Sequence, residues 1–136
     1  MANKRYLLDT HCLLWFQENN PQIPIGVLDI LQQPDNTILF SQVSLFELAI
    51  KLKIGKLRDF HATIEDIYNQ AIMDSFTYLN IQREHIYKYQ QVPLFENHRD
   101  PFDRLLIATA MEENAIILSV DEKFKLYKDY IEVIWD

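Results

Sequence analysis

Four acidic residues occupy places in the sequence from which their carboxylates could act together. They follow short apolar runs or begin apolar helical segments, and they are Asp9, Glu47, Asp103 and Asp121. Carboxylates that are brought close together repel one another, so such a group needs protons or cations to compensate its charge. Oxygen ligands alone select hard cations such as Mg²⁺ or Mn²⁺, which keep water ligands and bind substrate phosphate. These residue types therefore predict a divalent-metal site.

The predicted strands explain how residues so far apart in the chain could meet. Short apolar runs bounded by polar residues predict strands at Tyr6–Leu8, Thr37–Phe40, Phe76–Ile81, Ile116–Leu118 and Glu132–Trp135. Strands that alternate with helices favour a parallel sheet covered on both faces, which is an α/β fold. Ligands bind such sheets at the carboxyl ends of the strands. Asp9 directly follows the first strand and Asp121 follows the fourth, so both are expected at that edge.

The predicted helices place the other two acids. Helical segments are expected around 13–15 and at 24–33, 44–53, 63–74, 83–91 and 101–112. Ser44 is the expected N-cap of the third segment, and Glu47 has the spacing of its capping-box partner, as Asp66 has for Thr63. The segment from Pro101 has apolar residues at the spacing of one helix face. Glu47 should therefore lie one turn above the sheet edge.

Each acid also has a purely structural explanation. Asp9 could simply end a strand, Glu47 could complete a capping box, and Asp121 could cap a short helix after it. Asp100 suits the N-cap of the helix from Pro101, and the acid three residues later would then favour the helix dipole. Capping is common for single acids. Three or four acids at one sheet edge are better explained by a site.

Several other residues near the acids have both a chemical and a structural interpretation. Thr10 and Ser119 could hydrogen-bond metal waters or phosphate, or could serve local turns. His11 is expected to be solvated or structural, because the four histidines show no paired metal-ligand spacing. Cys12 has apolar neighbours, which favours a buried thiol over a nucleophile. The basic stretch Lys51–Arg58 is a solvated helix face or a phosphate contact.

Composition sets the limits of these interpretations. The chain has 136 residues, 20 acids against 13 bases, a net charge of -7 and 49% apolar residues, which predicts one globular domain over residues 1–136. This balance excludes a disordered chain and a basic nucleic-acid-coating protein. Two glycines are too few for a phosphate-cradling loop. A single cysteine excludes an internal disulfide, and no segment has the length of a membrane span, so a cytoplasmic location is expected.

Four stretches of the sequence carry a resemblance to a known family. In order along the chain they are YLLDTHCLLWF, SQVSLFELAIKLKIGKL, HRDPFDRLLIATAMEE and ILSVDEKFKLY. The sequence resembles PIN-domain proteins, and among them the ribonuclease toxins of VapBC-type toxin–antitoxin pairs. The resemblance implies a three-layer α/β/α fold with a central, mainly parallel sheet. It also implies Mg²⁺- or Mn²⁺-dependent cleavage of RNA, homodimer formation and inhibition by a cognate antitoxin protein.

The resemblance also assigns roles to individual residues. It places the metal-binding and catalytic acids at Asp9, Glu47, Asp103 and Asp121. Small hydroxyl residues often seen beside these acids fall at Thr10, Ser44 and Ser119. Asp103 is preferred to Asp100 because it precedes the Ile107–Ala110 stretch at the family's interval, and Asp100 could assist.

Two other classes of function stay open. In an aspartyl-phosphate phosphotransferase or phosphatase, Asp9 would be the nucleophile. Such enzymes usually have a second acid nearby in the sequence, and LLDTHCLL has none. The chain could also be a non-catalytic interaction module that keeps the PIN fold, because a fold does not by itself imply a function.

Overall fold

The strand that is first in the sequence lies in the middle of the sheet. A computed structural model describes residues 4–57 and 61–136, and Arg58 of the predicted basic stretch lies outside these ranges. The strands are β1 (Arg5–Leu8), β2 (Thr37–Ser41), β3 (Thr77–Leu79), β4 (Ile116–Leu118) and β5 (Val133–Ile134). The helices are α1 (Thr10–Gln17), α2 (Ile25–Gln32), α3 (Gln42–Lys53), α4 (Ile64–Met73), α5 (Arg83–Tyr89), α6 (Pro101–Glu113) and a 3₁₀ helix (Glu122–Tyr127).

The strands form one sheet in the order β3-β2-β1-β4-β5, and every pairing among them is parallel. Leu7 of β1 lies opposite Leu39 of β2 on one side and Ile117 of β4 on the other. The chain leaves the centre in one direction through β2 and β3 and in the other through β4 and β5. The carboxyl ends of β1, β2 and β4 therefore lie side by side at one edge, as predicted.

Alternation along the strands divides the core into two apolar layers. Leu7, Leu39 and Ile117 point to the face covered by α6 and the 3₁₀ helix. Tyr6, Leu8, Ile38, Phe40 and Leu118 point to the opposite face, where they pack with residues of α1, α2 and α4. Successive strand residues point to opposite faces, so a short apolar run can supply both cores at once. The three-layer α/β/α architecture is confirmed.

The start of α3 differs from the prediction. Ser44 was expected to cap this helix, but the helix begins two residues earlier at Gln42, and Ser41 is the N-cap. Ser41 has an extended backbone at the end of β2, and its hydroxyl accepts a hydrogen bond of 3.0 Å from the Val43 amide. The strand thus passes directly into the helix. Ser44 lies buried in the first turn, and the proposed capping box between it and Glu47 is wrong.

Other predicted caps are confirmed. Thr63 and Asp66 form the reciprocal capping box of α4, with bonds of 3.1 and 3.0 Å. Asp100 caps α6 with Pro101 at its first turn, and Asp121 caps the 3₁₀ helix. The structural explanations of these two acids are therefore correct.

Helix α6 is buried more completely than one apolar face predicts. Its buried residues are Arg104, Leu106, Ile107, Ala108, Thr109 and Ala110, whereas Phe102 and Leu105 of the predicted face are only partly buried. Packing of α5 on a second side of α6 explains the difference, because Arg104 stacks over Tyr89 of α5. Within the described ranges, no helix combines the length and the apolar character needed to cross a membrane.

Candidate metal centre at the carboxyl edge of the sheet

Asp9 lies at the junction of β1 and α1 and is 5% exposed. Its Oδ1 accepts a 2.7 Å hydrogen bond from the Thr10 amide, and its Oδ2 accepts a 2.8 Å bond from the Ser119 hydroxyl. Ser119 directly follows β4, which neighbours β1 in the sheet. The sheet order thus brings together two residues that are 110 positions apart in the chain.

The Asp9 carboxylate has little contact with water, and its ionisation reflects this. Burial raises its pKa, although the Ser119 hydroxyl, His11 and the Thr10 amide all favour the charged form. The nearby Glu47 carboxylate raises the Asp9 pKa further. When burial and a second carboxylate both raise the pKa of an acid, a bound cation would stabilise its charged form.

Glu47 reaches the same edge from α3, and Thr10 holds it there. The Thr10 hydroxyl donates a 2.8 Å hydrogen bond to Glu47 Oε1 and lies 2.9 Å from the Ser44 hydroxyl oxygen. The other carboxylate oxygen lies 3.4 Å from Lys51 Nζ. The Thr10 hydroxyl therefore contacts an acid of another element rather than serving only a local turn, and Ser44 contacts Thr10. Lys51, the first residue of the basic stretch, is half-buried beside the acids.

Asp103 enters from the first turn of α6. Burial raises the pKa of Asp103 to about 6, against the effect of a hydrogen bond from His98. The charges of Asp100, Asp9 and Glu47 raise it further. The charges of Asp9 and Glu47 act on the pKa of Asp103. Carboxylates from three separate elements therefore share one region of the structure.

Asp121 is connected to this group through Ser119. Its amide donates a 3.0 Å hydrogen bond to the Ser119 hydroxyl oxygen, and that hydroxyl in turn bonds Asp9. The Asp121 carboxylate accepts a 2.9 Å bond from the Lys123 amide and is half-buried. Asp100, in contrast, is exposed and bonds the first turn of α6, so its effect on the site is its charge on Asp103.

The donor set suits a hard divalent cation that keeps part of its water shell. No three His, Cys, Asp or Glu side chains in the ranges 4–57 and 61–136 are gathered closely enough to form a ready-made metal cage. Mg²⁺ is commonly held by one or two carboxylates and several waters rather than by a cage built only from protein. The mutual repulsion of Asp9, Glu47 and Asp103 is the feature that a cation would relieve.

Two buried polar residues beside the site were missed by the sequence analysis. His98, 3% exposed, lies 3.1 Å through Nε2 from Asp103 Oδ2. Arg104, next to Asp103, is 4% exposed and donates to the carbonyls of Val92 and Pro93 in the loop before α6. Both belong to the HRDPFDR stretch, so the motif was visible, but nothing local in it shows that these side chains turn inward.

The two remaining candidates, Cys12 and His11, lie in the core and at the surface respectively. Cys12 is 1% exposed, which confirms the prediction of a buried thiol, and this burial raises the pKa of the thiol. His11 is exposed, and its ring lies 6.0 Å from that of Trp15. A cavity of about 720 Å³ lies on the α1, α2 and α4 side, lined by residues that include Phe16 and Leu28 but by none of the four acids.

Comparison with known families agrees with this fold. The PIN-domain family matches the sequence over residues 6–130, which is most of the chain. The chain therefore belongs to the PIN-domain family. A search among curated proteins gave no match.

Solved structures show the same fold at low sequence identity. A chain of VapBC2 from Rickettsia felis, bound to a DNA fragment from its promoter, has a TM-score of 0.69 and 19% identity, covering 97% of this chain and 99% of that one. VapBC-1 from nontypeable Haemophilus influenzae gives 0.62 and 18%, covering 96% of each chain. FitAcB from Neisseria gonorrhoeae gives 0.60 and 18%, covering 95% and 96%. This protein thus shares its PIN-domain fold with the matched chains of these complexes.

Proposed function

We propose that this protein is a metal-dependent endoribonuclease that hydrolyses RNA phosphodiester bonds and acts as the toxin of a toxin–antitoxin pair. The observation that carries the proposal is the hydrogen-bond geometry at the strand ends, where Ser119 after β4 bonds Asp9 after β1 and Thr10 bonds Glu47 of α3. The charges of Asp9 and Glu47 also both raise the pKa of Asp103. These acids come from three different elements and meet where parallel strands end, which is where α/β sheets bind ligands. Membership of the PIN-domain family supports a nuclease over other phosphate chemistry.

Asp9, Glu47, Asp103 and Asp121 are the residues that would hold Mg²⁺ or Mn²⁺. The bound ion would polarise a phosphoryl oxygen and make a water more acidic. Asp9 is the central ligand of this proposal because it is the most buried of the four and is bonded from both sides. One of the four carboxylates would orient the attacking water, and no covalent intermediate on the protein is needed.

The neighbouring polar residues would keep these acids in place. Ser119 bonds Asp9 and the backbone of Asp121, so it would hold the two strand-end acids at a constant separation. Thr10 and Ser44 would do the same for Glu47. Asp100 would contribute through its charge. Each acid is thus supported by a hydrogen-bond partner from another part of the chain or by its own helix cap.

The proposal includes partners and a location. The comparison structures are named for VapBC and FitAB complexes, which supports a cognate antitoxin protein as partner of this chain. RNA as substrate and formation of a homodimer rest on the resemblance of the sequence to VapC-type toxins. A cytoplasmic location rests on the single cysteine.

The direct test is cleavage of a structured RNA during titration with Mg²⁺. We expect the wild type to cut only when metal is present and EDTA to stop the reaction. Asp9→Asn should lower the rate by at least about 100-fold, because the substitution removes a charged ligand while keeping the shape of the side chain. Asp29→Asn is the matched control, since Asp29 is an exposed acid of α2 outside the site.

Three results would contradict the proposal. Cleavage that persists in EDTA would exclude the metal. Equal cleavage by wild type and Asp9→Asn would exclude the site, and absence of cleavage in both would favour a non-catalytic module. Hydroxylamine-sensitive labelling of Asp9 by a phosphoryl donor would favour the aspartyl-phosphate alternative.

A further inference from the structure

His98 connects two elements that carry acids of the proposed site. Its ring is buried in the loop before α6, with Nε2 3.1 Å from Asp103 Oδ2. Its Nδ1 lies 2.6 Å from the hydroxyl of Tyr127, the last residue of the 3₁₀ helix that Asp121 caps. The Asp103–His98–Tyr127 chain thus runs from the first turn of α6 to the end of the 3₁₀ helix.

The direction of the hydrogen bonds in this chain follows from elementary chemistry. An ionised carboxylate can only accept hydrogen bonds. Nε2 of His98 therefore carries a proton and donates a hydrogen bond to Asp103. In a neutral ring, Nδ1 is then an acceptor, and the Tyr127 hydroxyl donates to it. Burial raises the pKa of Tyr127, although the Arg104 guanidinium opposes this, so the phenol keeps its proton. When His98 carries its proton on Nε2, each hydrogen bond of the Asp103–His98–Tyr127 chain has one donor and one acceptor.

Packing leaves the His98 ring little freedom to turn. Its ring centroid lies 5.4 Å from that of Tyr127 and 6.2 Å from that of Phe124, both in edge-on arrangements. Tyr127 and Phe124 are themselves almost fully buried. The loop that carries His98 is tied to α6 by the bonds from Arg104 to the Val92 and Pro93 carbonyls.

We propose that His98 is a positioning residue, which holds the Asp103 carboxylate in the orientation that binds the metal ion, with Tyr127 orienting the His98 ring. This inference rests on the proposed function and deepens it. Ligating carboxylates work best when a second group fixes them, and loss of such a group typically lowers metal affinity about 10- to 100-fold. His98 acts through Asp103 and does not itself touch the ion or the substrate.

The chain contains a matched control in His85. This histidine is also fully buried and lies 2.8 Å through Nε2 from an acid of α6, Glu113. Its Nδ1 accepts a 3.1 Å bond from the Gln82 amide. Glu113 is at the opposite end of α6 from Asp103, roughly 15 Å away at 1.5 Å per residue. His85 therefore has the same bond type and burial without access to the site.

The experiment measures Mn²⁺ binding by calorimetry together with the thermal midpoint of each protein. We expect His98→Leu to weaken Mn²⁺ affinity about tenfold or more. His98→Gln should recover part of this loss, because its amide can donate from nearly the same place as Nε2. Tyr127→Phe should weaken affinity to a smaller extent. His85→Leu should lower the thermal midpoint and leave Mn²⁺ affinity unchanged.

The outcomes separate the two proposals. If the wild type binds Mn²⁺, Asp9→Asn does not, and folded His98→Leu binds as the wild type does, the positioning role is wrong and the metal site stands. An equal loss of Mn²⁺ affinity in His85→Leu would also overturn the positioning role, because general loosening of the fold would then explain the loss in both variants. If His98→Leu fails to fold, the test rests on His98→Gln and Tyr127→Phe. Wild-type Mn²⁺ affinity in both of these variants would contradict the positioning role of His98. A wild type that binds no Mn²⁺ would overturn the proposed function and this inference with it.

Discussion

Burial and mutual repulsion set the properties of the individual acids at the sheet edge. Burial raises the pKa of both Asp9 and Asp103, and the Glu47 carboxylate raises each further. A raised pKa means that the folded protein binds the proton more tightly than the unfolded chain does. The metal-free protein is therefore destabilised by these charges at neutral pH, as is common where a site is built for function rather than for stability.

Asp103→Asn should for this reason stabilise the metal-free protein. The pKa of Asp103 is about 6 in the folded state against an ordinary value of 3.8, so its ionisation lowers stability as the pH rises through that interval and the loss persists above it. In EDTA at pH 7 the variant should unfold at a higher temperature than the wild type. The difference should shrink at pH 4, where the folded wild type already holds the proton.

Thermal unfolding in EDTA at both pH values checks this, with Asp29→Asn as the control. A variant that is no more stable at pH 7 would show that the Asp103 charge carries no penalty. Addition of Mn²⁺ should stabilise the wild type and not Asp103→Asn, because ligands stabilise only the state that binds them.

At the scale of the helices and strands, the polar side chains at element ends do two jobs. Ser41 caps α3 where β2 ends, which leaves Ser44 free to contact Thr10. Asp121 caps the 3₁₀ helix, and its amide bonds the Ser119 hydroxyl that also bonds Asp9. Thr63 and Asp66 form the capping box of α4. The same local chemistry is thus used for stability in α4 and for positioning at the sheet edge.

Thr63→Ala should destabilise the protein by about 1 kcal/mol, because the α4 N-cap is lost. The hydrogen bond from the Thr63 amide lowers the pKa of Asp66 below 3.8, and the adjacent Thr63 hydroxyl acts in the same direction. The contribution of the Asp66 charge to stability is therefore present above pH 3.8 and disappears as the pH falls through the folded-state pKa. Urea unfolding at neutral pH measures the first effect. Asn69→Ala, at an exposed position of the same helix, is the control and should change stability little. An equal effect of both substitutions would contradict the capping role.

At the scale of the whole molecule, the net charge of -7 is concentrated in part at one edge of the sheet. The proposed function predicts that this edge repels the phosphates of RNA without metal and binds a phosphate when metal is present. The acidic remainder of the surface argues against non-specific coating of RNA. An acidic nuclease of this kind is expected to depend on shape and on assembly with other chains for its specificity.

Assembly gives the prediction at this scale. We expect the purified chain to sediment at about twice its 16.2 kDa mass, as a homodimer. Co-expressed with the product of a small reading frame next to its gene, it should form a larger complex whose RNA cleavage is suppressed. Sedimentation equilibrium and the cleavage assay measure the two effects. A monomeric mass would refute the dimer, and full cleavage by the complex would refute inhibition by that partner.

The amino-acid sequence by itself determined the strands, most helix limits and the caps at Thr63, Asp100 and Asp121. These features depend on interactions within a few residues, such as alternation along a strand or a hydroxyl reaching an amide three positions on. The strand-end position of Asp9 was visible for the same reason. In a parallel sheet, that position alone predicts a shared edge.

Only the tertiary structure decided which partners the acids have. The bond from Ser119 to Asp9 spans 110 residues, and that from Tyr127 to His98 spans 29. Both depend on the order of the strands and on which side chains α6 buries, and neither is encoded in a local pattern. The shift of the α3 cap from Ser44 to Ser41 has the same origin. Ser44 was available to Thr10 only because the sheet had placed α1 beside it.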